Sequence, residues 1–240
     1  MKKLLIFLLL FPVLGMGQAK DVLSSFRVYP EPGKTTAFGK ALTSHAQKYH
    51  TGDLKWRVWS IESGPDVGGY MVTEGPSSWE GMDKRGDISA EHTADWANNV
   101  LPLTTSRGTS DYLTFRPELS TVALTDYADK ILVNRMTIKP GQTMAALELL
   151  KKLKPVWEAG KESVAVYSIT ASGSPGYISV TRFKNGLAEL AENYRKPMPE
   201  RYNTINGADS WNSFLKDYAV AVESRWSELL VYRPELSSKQ

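Results

Sequence analysis

The chain contains no cysteine, and this absence excludes several kinds of chemistry at once. Without thiols there is no disulfide, no thiolate nucleophile and no zinc or iron–sulfur centre held by cysteine. Because no cysteine follows the apolar residues near the amino terminus, acylation as a lipoprotein is excluded as well.

Excess charge of one sign is also lacking. The 29 Lys and Arg are nearly balanced by 26 Asp and Glu, and the formal net charge is only +3. Nucleic-acid binding needs clustered basic side chains to meet the phosphates, and the sequence has no such run. We therefore expect no nucleic-acid partner.

The one long apolar run, at residues 4–14, is too short for a membrane span. A spanning helix needs about 20 apolar residues, whereas a basic pair at positions 2–3 before a shorter run, with cleavage after Gly17 or Ala19, is typical of a secretory signal. We predict that residues 1–19 are a signal peptide, with no membrane anchor after its removal. Export without disulfides fits a bacterial periplasm or a secreted bacterial protein.

Only three histidines occur, and none lies in an H-E-x-x-H motif or a comparable spacing. The spacing gives no metal site, so we expect no metal or other cofactor. His50 follows the first predicted helix, where histidine is common for charge and capping reasons, and we interpret it as a surface residue. Phosphate-binding loops, G-x-S-x-G and a G-x-G-x-x-G after a strand are missing too.

The chain does contain one segment twice. FRPELS at residues 115–120 returns as YRPELS at residues 232–237, and the segments before each copy can be aligned. This predicts a tandem duplication, with repeats at residues 20–125 and 126–240. We expect a structural role for the repeated segment, since proline ends a strand and Arg and Glu can pair.

Hydrophobic periodicity predicts the order β-α-β-β-α-β in each repeat, an α+β fold of ferredoxin-like type. In the first repeat it predicts strands at 26–29, 55–63, 69–74 and 111–115, with helices at 34–49 and, broken near Gly86, at 78–101. In the second it predicts strands at 131–138 and 164–170, a further strand near 176, a helix at 143–159, a connection at 194–207 and a helix bearing residues 211–222.

The second strand of each repeat has apolar residues at both its odd and its even positions, as in Val164, Ala165, Val166 and Tyr167. A sheet with one wet face would alternate apolar and polar side chains. Both faces should therefore be covered, one by helices and the other by the sheet of the second repeat.

With this element order, duplication and apolar pattern, the mature chain resembles the dimeric α+β barrel superfamily, in a tandem-fused form. The superfamily includes antibiotic-biosynthesis monooxygenases, haem-degrading monooxygenases, NIPSNAP-like proteins and stress-responsive barrel proteins. The resemblance implies an eight-stranded barrel with helices outside. Because the fused repeats would already satisfy each other, we expect a monomer, a pseudo-dimer within one chain.

His45 stands out because its counterpart in the second repeat is Leu153. It is either a satisfied interior histidine or a polar group between helix and sheet, where superfamily members hold small ligands. Trp59, on the facing strand, could share such a pocket.

Arg57 and Glu62 lie on the same strand as Trp59 and could share the same pocket. If Arg57 is interior it needs Glu62, Glu74 or an anionic ligand as a partner, since an unpaired buried charge is costly. The alternative is that Arg57 lies at a strand edge in water.

His92 and Trp96 are four residues apart, hence on one helix face, and Trp79 precedes them. The haem-degrading relatives use an Asn, a Trp and a His in one unit. Trp79 and His92 match part of that set, but strand 26–29 has no Asn, and Asn134 lies in the repeat without histidine. The resemblance to those enzymes is thus incomplete, and haem remains only an alternative cofactor.

Three function hypotheses follow. The first is an exported barrel that binds a small, partly apolar molecule in an aromatic-lined pocket of the first repeat, which the seven Trp and eleven Tyr favour. The second is a monooxygenase-like or haem-handling enzyme, by analogy of fold. The third is a protein-interaction barrel with exposed aromatic residues.

Overall fold

A computed structural model describes residues 19–239 and shows two halves with the same order of strands and main helices. The signal peptide predicted at 1–19 lies almost wholly outside the described residues. The elements are β1 Val22–Pro30, α1 Thr35–Tyr49, β2 Trp56–Ile61, β3 Tyr70–Ser77, α2 Trp79–Arg85, α3 Ala90–Asp95, β4 Thr104–Phe115, β5 Lys130–Ile138, α4 Thr143–Ala159, β6 Val164–Thr170, β7 Gly176–Arg182, α5 Met198–Asn206, α6 Ser210–Ala221 and β8 Val222–Tyr232.

The eight strands form one closed antiparallel barrel in the order β1-β3-β2-β8-β5-β7-β6-β4. Each half contributes four neighbouring strands. Two seams join the halves: β2 pairs with β8, with Trp59 opposite Tyr232, and β4 pairs with β6, with Phe115 opposite Tyr167. Closure leaves no free sheet edge to pair with another chain. The barrel expected from the sequence is therefore confirmed.

The barrel wall separates an inner core from two outer cores. The inner core contains Trp59, Phe115, Tyr167 and Leu230. One outer core lies under α1 and another under α4 and α6. Because side chains alternate along a strand, β6 sends Val164 and Val166 outward and Ala165 and Tyr167 inward. This confirms the prediction that both faces of the second strands are covered.

The repeated Arg-Pro-Glu-Leu-Ser segment closes each half. The buried Ser237 Oγ accepts a hydrogen bond from the backbone N–H of Val58 at 2.9 Å, and Ser120 Oγ accepts one from Val166 at 2.8 Å. Arg116 pairs with Glu118 inside the first copy. These contacts tie the segment after β4 to β6 and the segment after β8 to β2, as a structural role requires.

Several predicted bounds need correction. The connection predicted at 194–207 contains α5, whose Tyr202 is 1% exposed and packs on α4 and α6. Strand β4 begins at Thr104, seven residues before the predicted start, because β1 pairs with its polar first part. Val222 begins β8 and does not end the helix. The predicted break near Gly86 is confirmed between α2 and α3.

Within residues 19–239, no helix combines the length and the apolar character that a membrane crossing requires.

Candidate functional site

The three histidines of the chain converge on the outer face of the first half. His45 lies on α1, His50 directly follows that helix, and His92 lies on α3. The side chains of His45 and His50 are fully buried, and His92 is half-buried. The interpretation of His50 as a surface residue was wrong, because α3 and β2 cover the end of α1.

The Nε2 atoms of the three rings point toward one another. His50 Nε2 lies 3.4 Å from His45 Nε2 and 3.3 Å from His92 Nε2. Imidazole nitrogens bound to one zinc ion lie 2.0–2.1 Å from it, which at tetrahedral angles places them about 3.3–3.4 Å apart. The two spacings to His50 therefore fit a shared metal ion, and the ligand atoms of all three rings lie within 4.8 Å of one another.

Two carboxylates hold the second ring nitrogens of His45 and His50, while Nδ1 of His92 has no hydrogen-bond partner among the described residues. His45 Nδ1 lies 2.7 Å from Asp95 Oδ2, and His50 Nδ1 lies 3.0 Å from Glu74 Oε2. A histidine that binds a metal usually donates its second ring N–H to such a group, which fixes the tautomer and the orientation of the ring.

The two carboxylates determine which ring nitrogens of His45 and His50 carry a hydrogen. An ionised carboxylate only accepts hydrogen bonds, so Nδ1 of His45 and of His50 must each carry a hydrogen. In the neutral rings both Nε2 atoms then present lone pairs, 3.4 Å apart. Two facing lone pairs repel unless a cation lies between them, and that cation is either a proton or a metal ion.

Burial acts against the proton. It lowers the pKa of His50 to about 4, although the hydrogen bond to Glu74 opposes the shift. Burial likewise lowers the pKa of His45 despite its bond to Asp95, and that of His92. Neutral imidazole is the form that binds metal ions.

Glu74, which lies behind the histidines, accepts hydrogen bonds from several of the side chains around it. Its carboxylate is 3% exposed and accepts hydrogen bonds from Trp56 Nε1 at 2.8 Å and from Arg85 Nε at 2.6 Å, besides that of His50. Burial alone would raise the pKa of Glu74, but the bonds from His50, Arg85 and Trp56 outweigh it and lower the pKa. Glu74 is therefore held ionised beside His50.

Aromatic rings enclose the histidine cluster. Trp56 stacks on His50 with ring centroids 3.5 Å apart, and Trp96 meets His45 edge to face at 5.2 Å. Tyr49 lies against both His45 and His92. Such a shell lowers the local polarity and fixes the rings. The sequence candidates His45, His92 and Trp96 are thus together.

Arg57 and Trp59 lie elsewhere, although they share β2 with Trp56. Arg57 and Trp59 line a cavity inside the barrel, whereas Trp56 faces α1 and the histidines. The hypothesis of one pocket shared by His45 and Trp59 was wrong, because a strand alternates its side chains and the two lie on opposite faces of the wall.

Glu62 and Trp79 do not join either group. Glu62 is exposed and pairs with Arg233, not with Arg57. Trp79 is 40% exposed, and its ring packs against Tyr112 on β4. Sequence order placed Trp79 beside His92 as a partial match to the haem-degrading enzymes, and the structure packs it on the barrel wall.

The second half has a cavity of about 430 Å³ where the first half has its histidines. It lies between the sheet and the helices α4, α5 and α6, and its lining includes Leu153, Trp157, Trp211, Phe214 and Tyr218. Its polar groups include Glu162, whose Oε1 lies 2.6 Å from Nη2 of Arg201, and the hydroxyl of Tyr218. The aromatic-lined pocket between helix and sheet therefore lies in the second half.

Solved structures share this architecture. An anthrone oxidase-like protein is 15% identical, with 90% of this chain and 92% of that chain covered at a TM-score of 0.57. A provisionally assigned monooxygenase from Fusobacterium nucleatum subsp. nucleatum is 10% identical, with 88% and 91% covered at a TM-score of 0.54. A provisionally assigned chlorite dismutase is 8% identical, with 90% and 96% covered at a TM-score of 0.53.

This chain has the dimeric α+β barrel fold. At these identities the likeness shows the fold alone. No protein-family profile matches the sequence, and no curated protein matches it either. The function of this α+β barrel therefore has to be argued from its own residues.

Proposed function

We propose that this α+β barrel is an exported protein that binds a divalent transition-metal ion, with zinc as the reference ion, through His45, His50 and His92. One observation carries the proposal: the Nε2 atom of His50 lies 3.4 Å from that of His45 and 3.3 Å from that of His92, and the ligand atoms of all three lie within 4.8 Å of one another. Asp95 and Glu74 hold the opposite nitrogens of two of these rings. Imidazole ligands suit zinc, copper, nickel and iron, and thiolate-preferring ions have no ligand here.

Three protein ligands leave a coordination position on a four-coordinate ion. A metal ion in such a site can polarise a bound water molecule or a ligand oxygen as a Lewis acid. The chain's own contribution is to keep three imidazoles neutral and oriented: Glu74 orients His50, Asp95 orients His45, and Trp56 and Trp96 exclude water. Export, which the sequence predicts from residues 1–19, is part of the same proposal.

A second candidate is the binding of a small, partly apolar molecule, and the 430 Å³ cavity of the second half favours it. Small-ligand sites are typically concave, mostly apolar and equipped with a few polar groups. Tyr218 and Glu162, the latter paired with Arg201, are polar groups in its lining. The monooxygenase and oxidase-like names of the structural neighbours agree with a cavity for an organic substrate. They add the hypothesis that this substrate belongs to the class that monooxygenases or oxidases act on.

The test of the metal proposal is a zinc titration of the mature chain, produced without a histidine tag and stripped with a chelator. Since the chain has only three histidines, one zinc per chain is expected, and His45→Gln, His50→Gln and His92→Gln should each weaken binding at least tenfold. Glu62→Gln, at an exposed carboxylate, is the matched control and should bind zinc normally. Cobalt(II) in place of zinc should give the absorption spectrum of a tetrahedral site.

The proposal fails if the tag-free chain binds neither zinc, copper nor nickel stoichiometrically, or if the three variants retain full affinity while circular dichroism shows them folded. For the second candidate, an apolar fluorescent probe should bind the wild-type chain and be excluded by Leu153→Trp, which fills the cavity. Equal probe binding by the two proteins would overturn it.

A further inference from the structure

The cavity inside the barrel is lined by four arginines and by no acidic residue. It has a volume of about 60 Å³, and its remaining lining is mostly apolar. Arg27, Arg57, Arg135 and Arg182 reach it from β1, β2, β5 and β7. Positive charge inside an apolar space is costly unless each charge has a partner.

Three of the four guanidinium groups have partners in the barrel wall. Arg27 pairs with Glu228, which is 0% exposed, and with Asp66. Arg135 pairs with Asp111.

Arg182 donates instead to main-chain oxygens, those of Ala123 and Leu124 at 2.8 and 2.9 Å and that of Asp126, and to the hydroxyl of Tyr167. These contacts use four of its five donors, and none of them is to a carboxylate.

Arg57 differs from the other three. Within the described part of the chain, its guanidinium makes no hydrogen bond and no ion pair; it lies over the ring of Tyr127, with Cζ 3.6 Å from the centroid. Glu62 and Glu74, the acidic partners considered from the sequence, bind Arg233 and Arg85 instead. Five donors of one cation therefore remain available.

A second donor beside the same cavity is unpartnered. Trp59 is 5% exposed and lines the cavity, and its indole Nε1–H has no hydrogen-bond partner among residues 19–239. A buried donor without a partner is destabilising. Nε of Arg135 is likewise buried and unpartnered. Unsatisfied donors and an unpaired cation next to an apolar space together call for an anionic acceptor.

We infer that the barrel interior binds a short monocarboxylate, with its carboxylate on Arg57 and Trp59 Nε1 and its alkyl part against Met71, Ile131 and Ile178. The size follows from the volume: at about 10–15 Å³ for each water-sized atom, 60 Å³ accepts roughly four to six heavy atoms. That range covers acetate, propionate and butyrate.

The cavity lies next to a groove on the surface of the barrel. Arg57 and Tyr127 also line a surface groove, together with Gly75, Pro76 and Thr125. The stacked pair Arg57–Tyr127 thus separates the interior from this groove. The site is independent of the histidine cluster, because the two lie on opposite faces of β2.

The experiment uses the mature, chelator-treated chain and titrates acetate, propionate and butyrate by calorimetry and by ¹H–¹⁵N NMR of the indole groups. Trp59→Phe assigns the Trp59 Nε1–H resonance by its loss. Saturable binding is expected, with a shift of that resonance and with propionamide, the uncharged analogue, at least tenfold weaker. Arg57→Met should weaken propionate at least tenfold, whereas Arg116→Met, outside the cavity lining, should bind as the wild type does.

The inference is overturned if none of the three acids saturates the wild-type chain, if the Trp59 resonance does not move, or if propionamide binds as well as propionate. Full affinity in a folded Arg57→Met would overturn it as well. Should Arg57→Met not fold, the comparison of acid with amide in the wild type and the Trp59 resonance still decide.

Discussion

Trp56 and Trp59 are three residues apart on β2, and their rings lie on opposite sides of the barrel wall. Trp56 stacks on His50 at 3.5 Å in the outer layer, while Trp59 belongs to the inner core. An odd separation along a strand reverses the side on which a side chain lies. One strand thereby contributes to two separate sites, and a substitution at Trp56 or at Trp59 changes one of them without changing the other.

Zinc should stabilise the folded chain. A ligand at 100 times its Kd that binds only the folded state adds about 2.7 kcal/mol, which for a chain of this size raises Tm by roughly 5–10 °C. Thermal unfolding with and without zinc measures the effect. A chelator should reverse it, and the His50→Gln variant, which binds zinc at least tenfold more weakly, should show at most about half of it; an equal shift in that variant would place the zinc elsewhere.

Glu74→Gln should weaken zinc binding by about 10–100-fold while leaving all three ligands in place. Loss of a partner that orients a metal-bound histidine typically has this effect, and Gln can present its NH₂ group to His50 Nδ1 in place of an acceptor. Competition against a chromogenic chelator measures the affinity. Glu62→Gln is again the control, and an unchanged affinity in Glu74→Gln would show that Glu74 serves the fold alone.

Glu228→Gln should destabilise the barrel by about 3 kcal/mol, because it removes the fully buried partner of Arg27. Breaking one side of a buried ion pair commonly costs 3–5 kcal/mol, and Arg27 retains Asp66, which places the loss at the low end. Urea unfolding measures the free energy. The exposed Glu235→Gln should change it by less than about 0.5 kcal/mol; a similar loss in both variants would contradict the prediction.

Ser237→Ala and Ser120→Ala should each destabilise the chain by about 1–3 kcal/mol, because each leaves a buried N–H of the neighbouring strand without its acceptor. Urea unfolding of the single and double variants measures this. The two losses should be nearly additive if the repeated segments act independently in the two halves. Wild-type stability in both variants would show that the repeated segment does not stabilise the fold.

The fold could be predicted because its information is local and periodic. The apolar stripe of α1 predicted a helix packed on the sheet. Because β2 and β6 are apolar on both faces, they also required a second sheet on the other side, and the barrel has both. Helix α5 was missed because its sequence is polar and contains Pro199, which is tolerated at a helix start. Its burial of Tyr202 depends on α4 and α6.

The candidate site was only partly predictable. His45 was identified by itself, and His92 and Trp96 as one helix face. His50 was assigned to the surface, Glu74 was considered only as a partner of Arg57, and Asp95 was not assigned to the site. A signal was present: all three histidines lie in one half, with none in the other. Spacing along the chain could not reveal their convergence, since the ligands lie on two helices and the segment between α1 and β2.

By itself the sequence determined the element order, the two-sided second strands and the exclusion of cysteine chemistry, because these follow from residue type and from periods of 2 and 3.6 residues. Tertiary structure alone decided that three histidines share one space with two carboxylates, and that Arg57 and Trp59 line the cavity inside the barrel. Both depend on how α1, α3 and β2 pack, a long-range property in which a change of one position moves a side chain to the other face of the wall.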